Sequence, residues 1–155
     1  MNKKLFEEFI ERDQNQESAV IESMAIIANS QCWQIVEKHV GQSDPGIDLK
    51  LEKENRTIII EAKGERPKQP NIDGRIQMGL GQIVSRMKDE EINREYRYCL
   101  VFPDTKSFVE RVIPIRPRKL LQLYIMYVDC LNKSLRVLCP NKETIESSIN
   151  LVSLF

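Results

Sequence analysis

The stretch that most limits what this chain can become runs from Ile47 to Lys63. Ile47-Asp48-Leu49-Lys50-Leu51-Glu52 alternates apolar and charged residues strictly, and Thr57-Ile58-Ile59-Ile60-Glu61-Ala62-Lys63 is dense in β-branched side chains. Glu54-Asn55 lies between the two runs as a polar turn. Two such runs joined by a short polar turn read as a β-hairpin. With the turn centred on Glu54-Asn55, Leu51 faces Ile58, Leu49 faces Ile60 and Ile47 faces Ala62. Successive side chains of a strand point to opposite faces, so a one-residue slip would set apolar groups against polar ones. The parity of the register is thereby specified.

That register has a chemical consequence. Asp48 falls directly opposite Glu61, with Lys63 two residues further along the same face. Directly opposed side chains have Cβ atoms about 4.5–5.5 Å apart. Two carboxylates at that separation repel unless a cation stands between them. Mg²⁺ meets the need, because it takes hard oxygen ligands and keeps several waters. Asp48, Glu61 and the carbonyl of Ala62 form a candidate Mg²⁺ site, with Mn²⁺ as the substitute ion. Lys63 then stands beside the attacking water, where a positive group stabilises charge building on a phosphate. The same three charged residues also suit the solvated face of an amphipathic hairpin, with Lys63 and Glu61 in a local ion pair.

Around the hairpin, helical spacing recurs over residues 3–12 and again over 15–30, where Val20, Ile21, Met24, Ile27 and Ala28 form one stripe. A third ligand or water bridge can come from Glu17, which shares that stripe and faces inward, or from Glu22 on a different face; the stripe favours Glu17. Residues 33–40 suit a strand or a helix tail equally, and 42–46 form a turn. Two prolines and two glycines make residues 64–74 a loop, and a helix is predicted over 75–92 on Ile76, Leu80, Ile83, Val84 and Met87. Residues 96–102 read as a buried strand stopped by Pro103. A broken helix over 105–121, a strand pair at 123–129 and 134–139, and a short terminal helix complete the order. Helix, hairpin, helix, strand, helix and strands in that sequence predict an α/β domain, a central mixed β-sheet flanked by helices.

Composition narrows the function classes. The chain of 155 residues suits a single domain, and 41% apolar with 30% charged residues is the balance of a globular protein. No apolar stretch approaches the ~20 residues that span a bilayer. Acids fill the N-terminal region where a signal peptide needs an apolar segment, so a cytoplasmic protein without membrane attachment is expected. The four cysteines include no CxxC pair and the only histidine is His39, which excludes the usual zinc spacings. Net charge is zero but unevenly spread, −5 over residues 1–62 and +5 over residues 63–119. An acidic half joined to a basic half suits a polyanion site with a carboxylate cluster inside it, and suits internal charge pairing equally.

Pro45-Gly46-Ile47-Asp48, a hairpin, and then Glu61-Ala62-Lys63 resembles the core of the PD-(D/E)XK nucleases, the restriction-endonuclease-like superfamily. Gly81-Gln82, within GLGQIVSRM, is similar to the helix that follows the E-x-K motif in several branches. The strand YCLVFP stands in the expected order, and the resemblance spans roughly residues 15–139. It implies a restriction-endonuclease-like core and a Mg²⁺-dependent endonuclease acting on DNA, RNA not being excluded. By the same resemblance Asp48 and Glu61 are metal ligands, Lys63 is the catalytic lysine and Glu17 the helix carboxylate. Gln82 orients the site or touches phosphate. Arg66, Lys68, Arg75 and Arg86 surround the site in sequence and are candidates for phosphate contacts, which position a duplex without reading it. One active site cuts one strand, so cutting both calls for a homodimer. The competing expectations are a non-catalytic nucleic-acid-binding or scaffold module of the same fold, and an interaction domain whose polar hairpin face is merely solvated.

Overall fold

The computed structural model describes residues 17–41, 46–64, 72–87, 90–104, 113–147 and 149–155, with the backbone alone at 72, 73 and 75. The helix expected over residues 3–12 lies outside them. Helix α1 spans Glu17–Ser30 and buries Val20, Ile21, Met24, Ala25, Ile27 and Ala28 along its stripe. Its end is a Schellman motif: Cys32 takes φ 60, its N–H donates to the Asn29 carbonyl and the Trp33 N–H to the Ala28 carbonyl. The reversal sends the Trp33 ring into the core and leaves the next residues extended. Strand β1, Gln34–Lys38, settles what the sequence left open.

Strands β2 (Leu49–Lys53) and β3 (Arg56–Ala62) form the hairpin, with Glu54 in the left-handed region at φ 56. Leu49 pairs with Ile60 and Leu51 with Ile58, the register the alternation specifies. Helix α2, Ile72–Ser85, then leads to β4, Glu95–Pro103. The helix is shorter than the spacing predicts: Arg86 and Met87 bond back in a turn, Met87 is the last apolar residue of the stripe to pack on the sheet, and Ile92 is 92% exposed. Of the stripe expected for α2, Ile76 and Ile83 are buried while Val84 faces outward. Helix α3 (Ile115–Leu121), β5 (Leu123–Asp129), β6 (Ser134–Leu138), β7 (Glu146–Ser147) and a 3₁₀ turn (Leu151–Leu154) follow.

The seven strands lie side by side in chain order. Pairings β3–β4 and β4–β5 are parallel and the outer ones antiparallel, giving a mixed sheet. The parallel links are the ones bridged by α2 and α3, as crossover connections require. Helix α1 covers one face, packing on Leu49, Leu51, Ile58, Ile60, Ala62 and Met126. The other carries Ile59, Tyr98, Leu100, Ile125 and Tyr127 against Ile76 and Ile83 of α2. Strand β3 is covered on both faces, which is why three consecutive isoleucines replace the alternation seen in β2. At the β1 rim the register slips between Ile35 and Glu37, leaving Val36 in a bulge. Among the described residues no helix is long and apolar enough to cross a membrane.

Candidate active site

Glu61, Lys63 and Asp48 meet where β3 runs out. Glu61 and Lys63 share the Ile59 face, the one that α2 covers, and are only 2% and 7% exposed. The Lys63 N–H donates to the Val101 carbonyl (2.9 Å), which continues the parallel ladder one step beyond β3 and fixes where its side chain leaves the backbone. Asp48 immediately precedes β2, so the register of the ladder brings it level with Glu61. Its carbonyl accepts from the His39 N–H (3.0 Å), and its Oδ2 accepts from the Ala62 N–H (2.7 Å). The carboxylate is thus tied to the strand that carries the other two groups.

Within the cluster Lys63 Nζ donates to Glu61 Oε1 at 3.0 Å and lies 3.8 Å from Glu17 Oε2, at the first residue of α1. Glu22 instead pairs with Lys38 of β1 (2.9 Å). Among the described residues, the buried Glu61 Oε2 has no hydrogen-bond partner. Burial pushes the Glu61 carboxyl above the usual carboxylate range and the neighbouring Asp48 charge pushes the same way, while Lys63 and Arg86 pull against them. Because Glu61 and Lys63 are covered, the solvated-face alternative does not describe them.

Helix α2 makes this burial feasible. A Cβ on Gly79 would lie 3.3 Å from Cγ and Cε of Lys63 and 3.3 Å from Leu100 Cδ2, so the lysine stem passes over the bare glycine. Sequence reasoning does not single out Gly79, because its role is a packing contact against the sheet. Gly79→Ala is expected to keep the unfolding temperature within a few degrees, since alanine favours a helix by about 1 kcal/mol over glycine and offsets the crowding. Any phosphodiester cleavage that depends on Lys63 should fall roughly ten- to a hundredfold, because small misplacements of reacting groups carry such costs. A thermal melt beside a cleavage assay checks both.

The remaining candidates divide. Gln82 is half-buried with its Oε1 unbonded, and Arg86, in the turn after α2, donates from Nη2 to the Gly46 carbonyl (2.5 Å). Arg86 therefore points into the site's framework, not outward as a solvated phosphate contact. Arg66, Lys68 and the side chain of Arg75 lie outside the described residues. Among the described residues no three His, Cys, Asp or Glu side chains converge as a ready metal cage. Two carboxylates with one unbonded buried oxygen nevertheless fit Mg²⁺, which completes its shell with water and needs few protein ligands.

No protein-family model matches the chain, and no curated protein matches it. Solved structures do. An XisH family protein from Nostoc punctiforme superposes with a TM-score of 0.50 over 76% of this chain and 95% of that one, at 14% identity. An fdxN element excision controlling factor protein from Anabaena variabilis gives a TM-score of 0.51 with the same coverage, at 15% identity. The fold is shared with XisH proteins. What this chain brings to that superposition is an α/β architecture, which among the described residues is a seven-stranded mixed sheet flanked by three helices.

Proposed function

We propose that the chain is a metal-dependent endonuclease of restriction-endonuclease-like type, hydrolysing phosphodiester bonds in DNA. The observation that carries this is the buried, unbonded Glu61 Oε2, set beside Asp48 and within a residue pair that already contains Lys63. A structural ion pair needs only one acid for one lysine. A second carboxylate facing the first raises the energy of the cluster, and a divalent cation removes that penalty. Pro45-Gly46-Ile47-Asp48 and Glu61-Ala62-Lys63 supply the motif order, and the shared fold with XisH proteins supports the same core.

Asp48 and Glu61, with the Ala62 carbonyl, would hold the ion. When bound, Mg²⁺ or Mn²⁺ lowers the pKa of water and neutralises charge on the scissile phosphate. The chain's own groups do the rest. The Ala62 and His39 N–H groups keep Asp48 in one orientation, so little reorganisation is needed when a substrate arrives. Lys63, held at 3.0 Å from Glu61, presents a positive charge where the phosphate becomes more negative. Glu17, at the edge of the cluster and partly exposed, is suited to hold a water against Lys63. Gln82 is suited to orient substrate or solvent through its buried amide oxygen. DNA would be the partner, two chains would be needed to cut both strands, and the cytoplasm would be the compartment.

Supercoiled plasmid, junction and flap DNA incubated with Mg²⁺, Mn²⁺ or EDTA tests the proposal. Wild type should cut only with metal, and Glu61→Gln or Lys63→Ala should lose at least ~100-fold, the usual cost of removing one transition-state stabiliser. A wild type that binds DNA yet cuts none of these, with no metal dependence, would establish the non-catalytic binding module instead.

A further inference from the structure

The segment that presents Asp48 is fastened at several points, and one of them comes from a distance. The His39 and Ala62 N–H groups bond Asp48 from neighbouring strands, as any residues at those positions would. Arg86 is different: a side chain from the end of α2 reaches a backbone carbonyl 40 positions earlier, Nη2 to Gly46 at 2.5 Å. The imidazole of His39 also lies close to Gly46: a Cβ there would stand 2.8 Å from Cδ2 and Nε2 of that ring, so any side chain would have to displace it. The ring is itself oriented by Glu37, 3.0 Å from its Nε2. Gly46, two residues before the acid, is thus bonded by a guanidinium and neighboured by a ring.

The guanidinium is committed to this place. Its Nε is buried with no partner, and its backbone N–H is tied to the Ile83 carbonyl (3.0 Å), which fixes the turn it leaves from. A solvated arginine held ready for a phosphate would not spend its Nη2 on a backbone carbonyl.

We propose that Arg86 is a positioning residue of the candidate metal centre, holding the Gly46 carbonyl so that residues 46–48 set Asp48 against Glu61. The role rests on the assignment of Asp48 and Glu61 as metal ligands made above. Groups that orient metal ligands typically contribute 10–100-fold to metal affinity. A phosphate contact instead contributes to duplex affinity, and its removal lowers the salt slope by about one.

Mn²⁺ titration by calorimetry on the whole chain separates these roles, run on wild type, Arg86→Met and Arg86→Lys beside their melting curves. Arg86→Met should bind Mn²⁺ about 10–100-fold more weakly and lose kcat, with KM for duplex DNA and its salt dependence unchanged. Arg86→Lys, which keeps the charge and one donor, should recover part of the loss and carries the same comparison if Arg86→Met does not fold. Unchanged Mn²⁺ affinity in a folded variant, with a raised KM and a shallower salt slope, overturns the role in favour of a phosphate contact. Unchanged affinity with only a lowered melting temperature overturns it in favour of a purely structural one. If wild type itself binds no Mn²⁺, the metal centre fails and the role of Arg86 with it. The wild-type titration therefore tells the two failures apart.

Discussion

Asp48→Asn is expected to make the metal-free protein more stable at neutral pH and to abolish its response to Mg²⁺ or Mn²⁺. Asparagine keeps an oxygen for the Ala62 N–H, so the bond that ties Asp48 to β3 survives. What disappears is the like charge beside Glu61, one of the causes that hold the Glu61 carboxyl above its usual range. Two unit charges about 5 Å apart at an effective dielectric near 20 interact by roughly 3 kcal/mol. Even a third of that would raise the melting temperature by ~2–4 °C in a chain of this size. Wild type, by contrast, should gain about 2.7 kcal/mol at metal concentrations 100 times the dissociation constant, and the variant nothing. The sign with pH follows from proton counting. With its pKa raised in the folded state, Glu61 keeps a proton there that the unfolded chain has released, so stability falls as pH rises through that window. The advantage of Asp48→Asn over wild type should therefore grow from pH 4.5 to pH 7 without metal. A variant less stable than wild type at pH 7, still stabilised by Mg²⁺, would contradict the opposed-carboxylate site.

Lys63→Met should cost far more. Methionine keeps much of the aliphatic stem that lies over Gly79, so packing is largely preserved while the ammonium goes. Glu61, 2% exposed, is then a buried carboxylate without its 3.0 Å partner. Removing one member of a buried pair typically costs about 3–5 kcal/mol, because the other charge is left uncompensated. Glu17 also loses a neighbour, but at 3.8 Å and partly exposed it adds little. The loss should shrink on acidification, because the charge and the hydrogen bond by which Lys63 lowers the Glu61 carboxyl are gone and a protonated Glu61 has no charge to compensate. Urea midpoints at pH 7 and pH 5 measure this. Adding Glu61→Gln to Lys63→Met should restore most of the stability and none of the cleavage. A penalty independent of pH, or no recovery in the double variant, would show that the two side chains do not act as a pair.

These effects were legible in the sequence to different depths. The hairpin and its register could be read because alternation in residues 47–52 and β-branching in 57–63 are local signals, and they agree. The spatial meeting of Asp48, Glu61 and Lys63 follows from that register alone. Their burial does not, because whether a polar strand end is wet depends on what crosses over it. Here α2 does, and Gly79 admits Lys63 only by virtue of a packing contact with no local signature. Residues 34–38 are ambiguous for a related reason: a rim strand with one half-buried face carries no dense apolar run, and the turn geometry at Cys32 decides its direction. The apolar spacing predicts a helix to residue 92, but Ile92 is exposed and anchors no further turn. Arg86 was taken for a surface cation because its partner is a carbonyl, which no sequence pattern marks.

The bulge at Val36 has a consequence for how chains of this kind assemble. Sheets extend from molecule to molecule by lending a straight row of unpaired N–H and C=O groups to a neighbour. The β1 rim is bent out of that geometry by its extra residue, and the opposite rim, β7, is two residues long. Neither rim offers a track on which a second copy could zip itself into a continuous ribbon. Copies of this chain that associate would have to meet through helices or loops and not through a shared sheet, which leaves their relative spacing adjustable.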